Sequence, residues 1–172
     1  MNLEIRKMNK SETGFLREML YEAIFIPEGS PPLPKSIVEE PALRKYFADW
    51  GKPGDIAVIA EYKGQLIGAI WSRLYPETDK GFGFIDKHTP ELSIAVRPEY
   101  RDRGIGTSLF KKYLSEAGKQ GFREVSLSVD KRNRSVSLYR RMGFEIVREP
   151  EADYTMRKHL PTIGRQNPDL KR

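Results

Sequence analysis

Leu3 and Ile5 alternate with Glu4 and Arg6, the two-residue period of a half-buried strand, so Leu3–Met8 is predicted as the first strand. The period then lengthens. Phe15, Leu16, Met19, Leu20, Ala23 and Ile24 fall on one face of a helix that Asn9 or Ser11 can cap. Pro41 suits the first turn of a second helix with Leu43, Tyr46, Phe47 and Trp50 as its apolar stripe and Gly51 as its stop. Asp55–Tyr62 and Gln65–Tyr75 are strand-like runs on either side of Lys63-Gly64, a tight-hairpin signature.

Glu91–Val96 is short, apolar and partly β-branched, which reads as a buried central strand ended by Pro98. From Ile105 onward, Leu109, Phe110, Tyr113, Leu114 and Ala117 share one helical face. Arg123–Val129 alternates again, Asn133–Met142 reads as a short helix stopped by Gly143, and Phe144–Arg148 and Ala152–His159 close the pattern as two strands. Seven strands interleaved with helices imply an α/β chain with a mixed sheet and helices on its faces, in one domain spanning 1–160. The polar tail 161–172 is expected to be mobile.

Two segments break the periodicity. Residues 27–41 hold five of the 12 prolines, and 76–90 sets Phe82 and Phe84 between glycines. Irregular stretches of this length are often lids or binding loops, with a plain connector as the alternative. Phe25–Ile37 and Pro76–Pro90 are read as walls of an acceptor pocket, with Glu28 or Asp86 either attracting an ammonium group there or serving as loop charges.

Composition narrows the chemistry. Thirty Lys and Arg against 24 Asp and Glu give a net charge of +6, which favours anionic ligands without deciding among them. With zero cysteines, disulfides, thiolate metal sites and a cysteine acyl-enzyme are excluded, and two distant histidines leave no metal site to expect. MNLEIRKMNK has no apolar signal core and no run reaches membrane length, so a cytoplasmic protein is expected.

The candidate chemistry centres on the turn between the central strand and the following helix. Arg101, Asp102, Arg103, Gly104, Ile105, Gly106 and Thr107 place glycines and cations at a helix N-terminus, where unpaired N–H groups and the helix dipole attract anions. A third glycine for a dinucleotide fingerprint and a Gly-Lys-Ser/Thr for a P-loop are both missing.

Arg101-x-x-Gly104-x-Gly106 after Ala95-Val96-Arg97-Pro98, followed by Asn133, Ser135, Tyr139 and Gly143-Phe144, resembles the GNAT superfamily of acyl-CoA-dependent N-acetyltransferases. Tyr154-Thr155-Met156 is a weaker third likeness. The resemblance implies a GNAT fold of about seven strands with acetyl-CoA as acyl donor. Its diphosphate would lie on the 101–107 amides and its pantetheine arm along Ile94, Ala95 and Val96, with Asn133 and Tyr139 contributing from the later motif. It implies Tyr139 as the acid that protonates the leaving thiolate. Glu91, at the start of the central strand, is the candidate base for an amine that is mostly ammonium at neutral pH; a surface carboxylate at a strand edge is the alternative. Some family members that act on protein N-termini carry a glutamate where this chain has Ser128, which counts against that base here.

The expected partners are therefore acetyl-CoA and a primary-amine acceptor, a small molecule before a peptide or protein, with direct transfer in a ternary complex. No nucleic acid or membrane is expected, and a homodimer is left open. The competing reading is a CoA- or nucleotide-binding module without transfer activity.

Overall fold

The computed structural model describes residues 2–161; the predicted mobile tail lies almost wholly outside them. In chain order the elements are β1 (Leu3–Lys7), α1 (Gly14–Ala23), α2 (Pro41–Arg44), β2 (Ile56–Tyr62), β3 (Gln65–Arg73), β4 (Glu91–Val96), α3 (Ile105–Lys119), β5 (Glu124–Asp130), α4 (Ser135–Arg141), β6 (Glu145–Arg148) and β7 (Asp153–His159). Short 3₁₀ turns occur at Lys10–Glu12, Lys35–Glu39 and Pro98–Tyr100.

The seven strands form one mixed sheet in the order β1-β2-β3-β4-β5-β7-β6. Every neighbouring pair is antiparallel except β4 and β5. Strand alternation splits the apolar residues between two faces. On one face Leu92, Ile70, Val125 and Leu127 meet Leu109, Phe110 and Tyr113 of α3. On the other, Ala69, Trp71 and Ala95 meet Phe15, Leu16 and Met19 of α1. Burying both faces explains why β2 and β3 read as near-continuous apolar runs.

Two expectations change. The helix predicted for Pro41–Trp50 ends at Arg44 after one turn. The buried Arg73 guanidinium collects the carbonyls of Lys45 at 2.9 Å, Ala48 at 2.5 Å and Asp49 at 3.2 Å. Asp55 clamps the same guanidinium at 2.8 Å, with both side chains at most 4% exposed. Carbonyls turned onto a side chain are withdrawn from a helical ladder, so 45–49 runs as tight turns, with Asp49 at φ 52°. The Tyr46, Phe47 and Trp50 stripe still packs inward, but from turns. The proline-rich 27–41 segment is also more ordered than a connector, since it holds the 3₁₀ turn Lys35–Glu39 with Val38 buried under α1.

Candidate active site

The parallel pair opens the sheet. β4 and β5 are in register only where Glu91 faces Ser126, and Ser126 N–H donates to Pro90 C=O at 3.0 Å. Beyond that point the strands part. Arg97 N–H donates to Ile67 C=O at 2.8 Å, so odd-numbered residues of β4 direct their backbone groups at β3. The alternate residues, Ile94 and Val96, therefore turn theirs toward the gap.

A cavity of about 1080 Å³ fills the gap and continues past the turn to α3 and α4. It exceeds the range of roughly 300–1,000 Å³ usual for small-molecule sites, as a long ligand requires. β4 contributes Ile94, Ala95 and Val96, the turn contributes Arg101, Asp102, Gly104, Ile105, Gly106 and Thr107, and the far wall contributes Asn133 and Tyr139. Of the candidates read from sequence, eleven thus share one cavity. Two stand outside its lining, Arg103 and Glu91.

The turn is built to present backbone. Asp102 at φ 59° and Gly104 at φ 78° are left-handed, which folds the chain tightly into α3. The α3 ladder begins with Ser108 N–H to Gly104 C=O at 3.1 Å, leaving the N–H groups of Ile105, Gly106 and Thr107 without intrahelical acceptors. A Cβ on Gly104, a residue of the cavity lining, would meet no atom within 4 Å. Arg101 braces the turn, donating to Val96 C=O at 2.9 Å and pairing with Glu22 of α1 at 3.2 Å. Arg103 instead turns outward, its guanidinium 5.6 Å from the Tyr100 ring centre, so only its backbone belongs to the turn. Arg134 reaches Asp102 at 2.8 Å across the cavity mouth. Asn133 Oδ1 accepts Ser135 N–H at 2.9 Å and so fixes the first turn of α4.

Tyr139 is the buried residue of α4, with its ring edge-on to Phe110 at 5.8 Å and Phe144 at 6.2 Å. Burial pushes its phenol up to about 12, an effect the Ser135 hydroxyl partly offsets. The group is a protonated donor at neutral pH. Packing and a cavity-facing position coexist here, because the ring fills the core while the residue borders the cavity.

Glu91 is not a surface carboxylate. It is 3% exposed, on the α1 side of the sheet beneath the 76–90 loop. Tyr46 Oη donates to Oε1 at 2.7 Å and Gly83 N–H donates to the same oxygen at 2.9 Å, while Oε2 has no partner. Desolvation pushes its pKa up to about 7, against the Tyr46 and Gly83 hydrogen bonds and the Lys45 charge, which lower it. Three residues of strand, about 10 Å, separate it from Ile94 at the cavity.

The loop expectations divide. Phe25, Ile26, Pro27 and Glu28 join the cavity wall, but no residue of 76–90 does. That loop lies on β4 and β5 instead. A Cβ on Gly81 would fall 1.9 Å from Glu91 Oε2, and one on Gly83 would fall 2.6 Å from the Leu127 backbone carbon. The glycines admit this approach, and Arg148 holds Phe84 C=O from β6. Asp86 accepts His88 N–H at 2.8 Å and the Thr89 hydroxyl at 3.1 Å, so it organises the loop. Tyr46 and the Arg73–Asp55 pair escaped the sequence reading. An arginine at the end of an apolar strand was their one visible sign.

A model described as the acetyltransferase (GNAT) family matches residues 19–144. The chain belongs to the GNAT acetyltransferase family. Among curated relatives, "Probable N-acetyltransferase san" of Drosophila melanogaster is 29% identical over 112 residues, 64% of this chain and 58% of that protein. "Mycothiol acetyltransferase" of Cellulomonas flavigena is 30% identical over 97 residues, 55% of this chain and only 28% of that one. The chain thus spans well under two thirds of either relative. The GNAT fold recurs in the PaiA N-acetyltransferase of Thermoplasma acidophilum in complex with coenzyme A, with a TM-score of 0.65, 23% identity and coverage of 92% and 99%. It recurs again in yncA of Salmonella typhimurium with acetyl-CoA, with a TM-score of 0.65, 18% identity and coverage of 99% and 100%. Among the described residues no three His, Cys, Asp or Glu side chains cluster as metal ligands, and no helix is long and apolar enough to cross a membrane.

Proposed function

We propose that this GNAT domain moves an acetyl group from acetyl-CoA to a primary amine of a small molecule, by direct attack in a ternary complex. One observation carries the reading. The edge of β4 that faces the gap, at Ile94 and the Val96 N–H, leads through the turn to the open N–H groups of 105–107, with Tyr139 on the opposite wall. Amide donors and acceptors in a row suit a pantetheine arm, and the α3 N-terminus suits its diphosphate. That relatives are named as acetyltransferases, and that neighbouring folds hold coenzyme A or acetyl-CoA, supports the same assignment.

The acceptor's ammonium gives a proton to Glu91, which is poised near neutrality, through water along the 10 Å that separate it from the cavity. The free amine forms the new C–N bond as the C–S bond breaks, the Tyr139 hydroxyl gives its proton to the departing thiolate, and the proton that the new amide nitrogen sheds restores the phenol. With no cysteine in the chain, no thiol competes for the acyl group. Release of CoA thiol over a panel of amines, antibiotics and peptides tests the reading. Intersecting initial-rate lines are expected; parallel lines with an isolable acetylated protein would contradict direct transfer.

A further inference from the structure

The groups around Glu91 are built to hold one carboxylate oxygen and leave the other free. Oε1 receives both donors, Tyr46 Oη at 2.7 Å and Gly83 N–H at 2.9 Å. Oε2 is buried without a partner, facing Gly81. Tyr46 is itself pinned on three sides. Its hydroxyl accepts Phe82 N–H at 2.8 Å, its carbonyl accepts Trp71 Nε1–H at 3.0 Å, and its ring lies between Tyr75 at 5.3 Å and Phe82 at 6.3 Å. The turns that carry it hang from the Arg73–Asp55 pair through the carbonyls of residues 45, 48 and 49.

A buried ion pair is weak evidence for stability, since apolar packing often serves as well. Here it fixes a backbone that an uninterrupted helix would have carried elsewhere, and the side chain so placed reaches a buried carboxylate.

We infer that Tyr46 is a positioning residue: it fixes Glu91 with Oε2 free for proton transfer and ties that carboxylate to the 81–83 loop. The inference rests on Glu91 being the base only in its rate arm. The groups that face Glu91 are Tyr46 and Lys45 from the 45–49 turns, Tyr75 beyond β3, Gly83 N–H from the loop, Ser126 beside it on β5, and Arg73 opposite it on β3, the last engaged with Asp55. Lys45 is drawn off toward Asp79 at 2.8 Å and the Lys80 carbonyl at 2.6 Å. Tyr46 is therefore the one side chain that donates to the carboxylate among the described residues.

The test is the titration of Glu91 followed by carbon NMR in full-length protein labelled at glutamate Cδ, with Glu91→Gln assigning the signal. Tyr46→Phe removes a donor that favours the charged form, so the Glu91 midpoint rises by about one pH unit. Tyr75→Phe, which removes no hydrogen bond to Glu91, leaves it in place. The acid limb of kcat/KM, read as CoA thiol release with the amine that the panel identifies, moves by the same amount with acetyl-CoA affinity unchanged. An unmoved midpoint in folded Tyr46→Phe overturns the inference, and so does a midpoint that moves without the rate limb. If Tyr46→Phe does not fold, 3-fluorotyrosine at position 46 replaces it; this stronger donor lowers the midpoint, and an unmoved one again refutes. Failure of the base assignment has a separate signature, undiminished turnover by Glu91→Gln.

Discussion

Glu91 gives the chain a pH-dependent stability whose sign differs from that of most carboxylates. Its folded pKa, about 7, lies above the ordinary value of 4.5 because burial disfavours the anion. The folded state therefore binds the proton more tightly than the unfolded state. That preference contributes its full stability below pH 4.5 and is lost as pH rises through 7. Linkage between these two values gives a loss of about 2.5 kcal/mol between pH 5 and pH 8 from this one group. Glu91→Gln has the same shape and no proton to lose. It should be less stable than wild type at pH 5, or close to it, and gain about 2.5 kcal/mol relative to wild type by pH 8.

The comparison is a double difference, so every other titrating group common to both proteins cancels. Urea unfolding at the two pH values reads it directly. For a chain of this size it corresponds to a relative gain in Tm of about 5–10 °C. Equal dependence on pH in wild type and Glu91→Gln would refute the reasoning, because a carboxylate hydrated in the folded state would leave no proton linkage to remove.

Three further outcomes follow from other parts of the site. Gly104→Val puts a branched side chain at φ 78° on the turn that lines the cavity, so acetyl-CoA binding by calorimetry should weaken well over tenfold in a variant that circular dichroism shows to be folded. Tyr139→Phe keeps the ring among Phe110 and Phe144 and deletes only the hydroxyl, and kcat should fall by about 10²–10⁴ with little change in acetyl-CoA affinity; a near-normal kcat with chemistry rate-limiting would make the residue structural. Asp55→Ala leaves Arg73 buried with no anion, which should cost about 3–5 kcal/mol in urea unfolding, whereas a loss under 1 kcal/mol would mean that the guanidinium finds water.

What could be read from sequence was what local rules control. All seven strands follow from alternation or short apolar runs, because burial of one or both faces writes a two-residue period directly into the chain. The α3 turn was legible for the same reason, since glycine most readily supplies the left-handed residue just before the helix. The 45–49 turns were not. Leu43, Tyr46, Phe47 and Trp50 pack inward from turns as well as from a helix, and what decides between them is Arg73, which lies 24 to 28 residues downstream of the carbonyls it takes. The burial of Glu91 was hidden for a related reason. Nothing near it in sequence covers it except a loop whose course depends on Gly81 and Gly83 fitting against β4 and β5. Asp86 could be read two ways because an Asx turn and a cation site call for the same residue, and in the structure it holds the turn.

The two glycine pairs do opposite things at the two ends of β4, and this accounts for the division of labour along it. Gly104 and Gly106 keep side chains out of the space beyond Val96, so the C-terminal end of the strand opens onto backbone donors. Gly81 and Gly83 bring a loop down onto the N-terminal end, so Glu91 is shut away from bulk water. The first arrangement suits an anion, which backbone N–H groups stabilise without a fixed counter-charge. The second suits a base that must accept a proton near neutrality, which a hydrated glutamate does poorly. Because β4 pairs with β5 only at Glu91, the sheet is intact where it supports the buried carboxylate and divided where the cavity needs its edge. Moving that pairing two residues along β4 would cap the Ile94 amide and close the cleft, so the single parallel contact fixes where the buried carboxylate ends and the cofactor-sized cavity begins.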